Sequence, residues 1–183
     1  MASQDAAARP IDIDAPLPAF SQCHAGILET LKAAEDLPAL LEAAHRARSV
    51  TRELLEMFDQ VVIPHHADEE NELFPAVLRS AEPGPERERI QGMVAHLVRE
   101  HRQVEKTWKR IEPSVRTAAR GGDIFVDKDL LRELVQVYMT HARYEEQEFL
   151  PLAERILARD SNHMAALGIA LHLRHVRIPV GYI

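Results

Sequence analysis

The chain has 183 residues, 46% of them hydrophobic, which is enough to bury the core of one domain. Its formal net charge of -7 argues against nucleic acid or an anionic membrane as a main partner, because both require a basic surface. The single cysteine, Cys23, excludes an internal disulfide, and the N-terminus lacks the basic and apolar regions of a signal peptide. We therefore expect a cytoplasmic protein.

Four stretches of the chain have apolar residues at helical spacing, and each stripe contains one histidine. These histidines are His24, His65, His101 and His141. The pattern predicts an all-α fold: an up-down-up-down four-helix bundle over residues 16–160, with each histidine pointing inward. Residues 1–15 are predicted to be an irregular lead-in, and residues 161–183 a short C-terminal helix and tail. No apolar run approaches the roughly 18 residues that would suggest a membrane span.

The predicted turns follow from placing the four histidines at one depth in the bundle, since each turn then lies midway between two histidines. Pro83-Gly84-Pro85 and Gly121-Gly122 occupy the second and third midpoints, and both are strong helix stops. The first midpoint, at 44–45, has neither glycine nor proline, and only Ser49 and Thr51 are candidate N-caps for the second helix. We expect local kinks at five other prolines: Pro38, Pro64, Pro75, Pro113 and Pro151.

Residues 65–75 and 141–151 share the pattern HxxxEExE followed by two apolar residues and proline. Within each copy, the histidine and the first glutamate are four residues apart and lie on one helix face, which is typical of a pair of metal ligands. The pairs are His65 with Glu69 and His141 with Glu145. His66 has the same spacing to Glu70, but the second copy has Ala142 at its position. We therefore expect His66 to face outward.

Other residues on the stripes are weaker candidates for the site. His24 and His101 are predicted ligands, with a buried histidine bonded to backbone as the alternative. Glu105 lies four residues after His101 and is either a ligand or a rim carboxylate paired with an arginine. Glu72 and Glu148, one turn beyond the ligand pairs, are expected to hydrogen-bond to ligands or to form ion pairs at the bundle edge.

Four imidazoles with two or three carboxylates form a mixed nitrogen and oxygen ligand set. This set suits iron, and less well zinc or manganese, and it suits calcium or magnesium poorly. The zinc-protease motif HExxH is absent from the sequence.

The residues that carry these patterns resemble the hemerythrin family, specifically its bacterial HHE cation-binding type. The resemblance covers His24, His65 to Pro75, Glu100-His101 and His141 to Pro151. It implies a non-haem centre of two iron ions, Fe2+ or Fe3+, bridged by the two carboxylates, and leaves an oxo or hydroxo bridge open. Oxygen-carrying relatives have a second histidine four residues before His101, where this chain has Leu97. Glu105 is a candidate for that vacant coordination position.

The resemblance favours a metal-binding protein that takes up O2 or NO for sensing, storage or a stress response. The alternative is a di-iron enzyme that acts on peroxide or nitrogen oxides, or a protein that donates iron for the repair of damaged iron centres. A purely structural bundle is the third interpretation, and it leaves the paired motifs unexplained. No catalytic residue is assigned, and a homodimer is compatible with the sequence.

Overall fold

The computed structural model describes residues 16–159, with side chains from residue 24 onward. This part of the chain is helical and contains no β-strand. No helix within it is long and apolar enough to span a membrane. The chain divides into two units, with the boundary between Arg46 and Ala47. The predictions for residues 1–15 and 161–183 lie outside the described residues.

The first turn lies earlier in the chain than the sequence pattern predicts. Helix α1 (Pro16–Ala34) and helix α2 (Leu37–Met57) are separated by two residues, and Pro38 lies in the first turn of α2, where proline is tolerated. The prediction that Ser49 and Thr51 cap the second helix is wrong, since both lie inside α2. Their hydroxyls donate to the Glu53 carboxylate and to the Ala47 carbonyl.

The remaining elements form three helical stretches separated by two turns. The first stretch runs to Ser80, the second is a single long helix, and the third ends at Leu157. In chain order they are π1 (Phe58–Val62), α3 (Ile63–Asp68), π2 (Glu69–Leu73), α4 (Phe74–Ser80), α5 (Pro85–Ala119), α6 (Lys128–Tyr144), π3 (Glu145–Phe149) and α7 (Leu150–Leu157). The two predicted turns are confirmed, and each contains a glycine with positive φ, Gly84 at 96° and Gly121 at 81°.

Each of the three π-helical turns is followed by a proline in the first two residues of the next α-helix. A proline has no N–H, so it cannot bond to the carbonyl four residues earlier, and its ring crowds that carbonyl. The wider π turn accommodates this, because the preceding residue bonds to the carbonyl five residues back, as from Ile63 to Phe58. The kinks predicted at Pro64, Pro75 and Pro151 thus occur as π turns, whereas Pro113 lies within an uninterrupted α5.

The π turns change which side chains face the core. A π turn adds one residue to the helix, so every inward position after it moves on by one. After Phe58 the buried residues are Val62 and His66, at 3% and 1% exposure, while Val61 is 38% exposed. The prediction that His66 faces outward is therefore wrong, because it assumed α-helical spacing throughout.

Between residues 47 and 159, the core of the second unit contains two hydrophobic clusters. One contains Phe74, Leu97, Phe149 and Ile156, and the other contains Phe58, Val104, Trp108 and Leu134. Trp108 stacks on Phe58 with ring centroids 4.0 Å apart. Along α5, His101 lies between a residue of the first cluster and one of the second. The two clusters therefore enclose a polar layer at this depth.

The helical stretches of the second unit run antiparallel to their neighbours, as paired contacts show. Glu70 contacts His101, and His66 contacts Glu105, so a step back along the first stretch corresponds to a step forward along α5. Glu100 and Thr107 contact His141 and Glu133 in the same way. The up-down-up-down order of a complete four-helix bundle stays a prediction.

Candidate metal centre

Three histidines from three different helices meet in the polar layer. His66 lies on α3, His101 on α5 and His141 on α6, and each is at most 1% exposed. The His66 and His101 rings stack with centroids 4.0 Å apart. The His141 ring meets them edge-on, with centroids 4.8 Å from His101 and 5.6 Å from His66. The fold therefore brings the three imidazoles into direct contact.

Each of these imidazoles has a carboxylate at its Nδ1 atom. The distances are 3.4 Å from His66 to Glu105, 2.8 Å from His101 to Glu70, and 3.3 Å from His141 to Glu100. A carboxylate here favours a proton on Nδ1 and leaves the Nε2 lone pair available as a ligand. All three Nε2 atoms are buried and make no hydrogen bond within residues 16–159. Three nitrogen ligands thus converge.

Two carboxylates complete the cluster. The oxygens of Glu69 lie 3.2 Å from His65 Nε2 and 3.2 Å from His101 Nε2, so this carboxylate extends between two imidazoles. Glu145 Oε2 lies 3.8 Å from His141 Nε2. The potential ligands form two groups, one of His66, His101 and His141 and one of His65, Glu69 and Glu145, and within each group the donor atoms lie within 4.8 Å of one another.

Burial and mutual proximity perturb the ionisation of this cluster. Burial, together with the neighbouring His101 and His141, lowers the pKa of His66 to about 3, so its imidazole is neutral at physiological pH. Burial and the adjacent Glu69 raise the pKa of Glu145 to about 9. Burial opposes ionisation of Glu69 as well, but His101 and Glu145 outweigh it and lower the Glu69 pKa to about 2. The two carboxylates therefore retain one proton between them.

His101 and His141 are shifted in opposite directions. Burial works against a charged His101, but the carboxylates of Glu69 and Glu70 prevail and raise its pKa. Burial and the nearby His101 lower the pKa of His141. Burial also raises the pKa of the Tyr138 phenol, which lies close to Glu69 and Glu145. At neutral pH the metal-free cluster thus contains neutral His66 and His141, whose nitrogen lone pairs are available.

The donor atoms fit a metal centre. Five buried ligand atoms make no well-aligned hydrogen bond among the described residues: His66 Nε2, His101 Nε2, His141 Nε2, Glu69 Oε2 and Glu145 Oε1; of these, His101 Nε2 and Glu69 Oε2 lie 3.2 Å from each other. A buried polar atom without a partner is costly, and a metal ion provides the missing partner. Imidazole nitrogens with carboxylate oxygens suit iron, zinc or manganese. Each of the two ligand groups is therefore able to hold a metal ion.

A cavity of about 450 Å³ lies beside the second ligand group. His65, Glu69, Tyr138 and Glu145 line it together with apolar residues that include Leu73 and Leu150. Small molecules are therefore able to approach the carboxylate side of the cluster.

The structure brings together five of the seven predicted ligands: His65, Glu69, His101, His141 and Glu145. His24 lies on α1 in the first unit, and its side chain is exposed. Glu105 lies behind His66, at Nδ1, and also pairs with Arg102 at 3.3 Å. Val104 occupies the buried position next to it.

The two glutamates predicted beyond the ligand pairs are displaced by the π turns. Glu148 is exposed and lies 3.7 Å from Arg89, which matches the edge ion pair named as the alternative. Glu72 lies half-buried in π2. The inward positions pass instead to Phe74 and Phe149, which are fully buried.

Sequence reasoning missed His66 as a member of the site, and it missed Glu70 and Glu100 as hydrogen-bond partners. The spacing of His66 to Glu70 was visible in the sequence, but comparison with Ala142 in the second copy outweighed it. Pro64, which follows the first π turn, was the available signal that the helical phase changes before the first copy.

Comparison with known proteins agrees with the geometry. Residues 15–153 match the family described as the hemerythrin HHE cation binding domain. A protein of Haemophilus influenzae, designated only as an uncharacterized protein, is 23% identical over 158 residues, which cover 82% of this chain and 88% of the relative. No solved structure matches the chain significantly. With the family matched over most of the chain and buried histidine and glutamate clusters in place, the chain belongs to the hemerythrin HHE cation-binding family.

Proposed function

We propose that this protein is a non-haem di-iron protein that binds O2 or NO at its iron centre for sensing, storage or a stress response. The observation that carries the proposal is the set of three buried imidazoles with Nδ1 on a carboxylate and Nε2 without a hydrogen bond. In many proteins, metal-binding histidines are oriented by a carboxylate that hydrogen-bonds to the ring nitrogen that does not bind the metal. A cytoplasmic location and a homodimer are also part of this proposal.

In this proposal His66, His101 and His141 would hold one iron and His65 would hold the other, with Glu69 and Glu145 as the carboxylate ligands. His24 remains a proposed ligand of the second iron. Helix α5 has Leu97, fully buried in a hydrophobic cluster, where oxygen-carrying relatives have a second histidine. In this assignment His66 supplies the missing imidazole. Glu105 then orients His66 and is not a ligand.

Bound ferrous iron would supply an open coordination position and one-electron redox chemistry. The protein contributes three buried imidazoles, which hydrophobic clusters enclose, and a set of ligands that must lose protons before they bind metal. Glu145 is protonated at neutral pH in the metal-free state, and the pKa of His101 is raised. Metal binding therefore releases protons and strengthens as the pH rises through neutrality.

The alternative is an enzyme that turns over peroxide or a nitrogen oxide, or a donor of iron for repair. One observation favours turnover, namely that the cavity of about 450 Å³ beside Glu69 and Glu145 is much larger than a diatomic gas needs. The Tyr138 phenol lines this cavity and keeps its proton, because its pKa is raised by burial and by the two carboxylates. It is a suitable hydrogen-bond donor for a bound oxidant.

The first experiment is to load the protein anaerobically with ferrous iron, desalt it, and measure iron per chain. About two irons per chain, absent from a His66→Ala/His141→Ala double variant and retained in His45→Ala, supports the proposal. His45 is an exposed histidine of the first unit and serves as the control. An iron content near zero in the wild type would refute it.

Optical titration then separates the candidate functions. Reversible, stoichiometric spectral changes with O2 or NO support the binding protein. Steady consumption of hydrogen peroxide over many turnovers supports the enzyme, and progressive loss of iron to a chelator in the presence of NO supports the iron donor.

A further inference from the structure

Arg102 is an exposed residue of α5 that contacts two of the carboxylates behind the histidine cluster. Its Nη2 atom donates to Glu70 Oε2, and its Nη1 atom lies 3.3 Å from Glu105 Oε1. The Arg102 side chain is 56% exposed, whereas Glu70 and Glu105 are 20% and 22% exposed. One guanidinium therefore joins two half-buried carboxylates.

Each of these carboxylates continues to a different buried histidine. Glu70 Oε1 lies 2.8 Å from His101 Nδ1, and Glu105 Oε1 lies 3.4 Å from His66 Nδ1. The guanidinium is thus connected to two of the three central imidazoles through one carboxylate each. Both imidazoles are at most 1% exposed, so the connection runs from the surface to the centre of the cluster.

The third imidazole is supported differently. His141 Nδ1 lies 3.3 Å from Glu100 Oε2, and the other oxygen of Glu100 lies 3.3 Å from His96 Nε2. His96 is 40% exposed and lies one to two turns before Arg102 on the same helix. His141 therefore serves as an internal control for any effect that passes through Arg102.

The need for a cation at this point follows from charge. Glu70 and Glu105 both contact Arg102 and therefore lie near one another, and carboxylates that share a small region repel one another. A planar guanidinium has several N–H donors in a fixed fork, so it can hold two carboxylates at once and in defined directions. A lysine ammonium is a point charge and lacks this geometry.

We propose that Arg102 is a positioning residue of the metal centre, which fixes the tautomer of His66 through Glu105 and the orientation of His66 and His101 through Glu105 and Glu70. This proposal rests on the proposed metal-binding function. Arg102 contributes little to folding in this scheme, because exposed ion pairs add little stability. Its effect lies in keeping two Nε2 atoms directed at one point.

The first test uses metal-free protein and nitrogen NMR of the imidazole side chains, compared between wild type, Arg102→Gln and Arg102→Lys. In the wild type we expect His66 in the form with its proton on Nδ1. In Arg102→Gln the nitrogen resonances of His66 should move toward a mixture of tautomers and those of His101 should shift, while those of His141, whose Nδ1 partner Glu100 is not held by Arg102, should change less. Unchanged His66 and His101 resonances would overturn the proposal, and this outcome does not depend on whether the protein binds metal.

The second test titrates the same variants anaerobically with Co2+, whose visible absorption reports ligand geometry. Arg102→Gln should weaken the tighter Co2+ site by about tenfold and alter its spectrum, as is typical for partners behind the ligands. Arg102→Lys should recover part of the affinity. Arg99→Gln, an exposed arginine of the same helix, removes the same charge and should behave as the wild type.

A double-mutant cycle separates this role from a general effect of charge. If Arg102 acts through the two carboxylates, Arg102→Gln added to Glu70→Gln/Glu105→Gln should cause no further loss of affinity. An additional tenfold loss would show that Arg102 acts by another route and would overturn the proposal. A wild type without any Co2+ or ferrous iron site would refute the metal-binding function, and the NMR comparison would still decide the role of Arg102.

Discussion

The two copies of the HxxxEExE pattern are alike in sequence and different in structure. In the first copy the buried pair is His66 with Glu69, three residues apart, and His65 lies at the edge with its side chain 41% exposed. In the second copy the buried pair is His141 with Glu145, four residues apart. Only the first copy is preceded by a π turn, π1, which lies between α2 and α3.

The comparison shows that the inward face of a helical motif depends on the helix before it. The same residues at the same spacing present a different face to the core when a π turn upstream adds one residue to the helix. The first copy thereby contributes two imidazoles to the site, from His65 and His66, whereas the second copy contributes only that of His141. This chain has Leu97 on α5 in place of a second histidine, and His66 brings the number of central imidazoles to three.

The largest expected effect separates His66 from His65. Because His66 is one of the three converging imidazoles, His66→Ala should weaken the tighter ferrous iron site by more than about 100-fold, beyond the usual loss for partners behind the ligands. His65→Ala should leave that site within about tenfold of the wild type and remove the other iron. Anaerobic iron titration of both variants measures this.

Equal losses in the two histidine variants would contradict the assignment, and a larger loss in His65→Ala would restore the register that uninterrupted α-helical spacing predicts. His45→Ala again provides the control for the removal of an exposed histidine.

A deletion tests whether π1 is the cause of the difference. Removing Gln60, an exposed residue in the middle of π1, should convert the π turn into ordinary α-helix and keep Val62, His66 and Glu69 facing inward. We expect the variant to fold and to bind iron with the wild-type stoichiometry, at a cost of about 1–2 kcal/mol in stability. Iron content and urea unfolding measure the two quantities.

Removing Gln136 from α6 provides the matched control. Gln136 is also an exposed glutamine and lies five residues before His141, as Gln60 lies six residues before His66. No π turn is present there to absorb the change, so His141 should rotate away from Leu134 and iron binding should be lost. The interpretation of π1 fails if the two deletions behave alike.

Much of the fold was predictable because it depends on patterns that act locally. The turns at Gly84 and Gly121 follow from helix-breaking residues, and the inward face of α5 follows from uninterrupted spacing through Leu97, His101 and Trp108. The helical class and two of the three predicted turns are confirmed. The prediction of the first turn, at 44–45, is wrong, because Pro38 was interpreted only as an interruption of a helix and not as the start of one.

The site was predictable only in part, because its details depend on tertiary contacts and on helix phase. His101, His141 and Glu145 follow from stripes that no π turn disturbs before them, and Glu69 lies within one helical turn of both His65 and His66. His66 did not follow, since π1 shifts the phase. Glu70, Glu100 and Glu105 meet histidines of other helices, and such pairings between distant segments are not encoded in the spacing within one helix.

The third prediction concerns the carboxylate of the second copy. In the metal-free protein the pKa of Glu145 is raised to about 9 from its usual 4.5. Between these pH values the folded state keeps a proton that the unfolded chain has released, so this group lowers stability as pH rises. Glutamine has no such proton to lose. Metal-free Glu145→Gln should therefore be more stable than the wild type by about 1–3 kcal/mol at pH 8 and equal to it near pH 4.

Urea unfolding in the presence of a chelator measures this difference, and Glu146→Gln, at an exposed neighbour, controls for the loss of one charge. The same Glu145→Gln variant should lose one iron, so that stability and metal binding change in opposite directions. A variant that is destabilised at pH 8 would contradict the shared proton.

The smallest expected effect concerns a surface ion pair between Arg159, two residues after the end of α7, and Glu86 in the first turn of α5. The Arg159 guanidinium donates to both oxygens of Glu86, at 2.8 and 2.6 Å, and lowers the pKa of Glu86 to about 2. A carboxylate with a lowered pKa stabilises the fold fully above its unfolded value of 4.5, and this contribution disappears as the pH falls toward 2. Glu86→Gln should therefore lower the urea midpoint slightly at pH 7 and leave it unchanged at pH 2. Glu88→Gln, in the same first turn of α5, corrects for the effect of the helix dipole, and an equal decrease in both variants would show that the ion pair itself adds nothing.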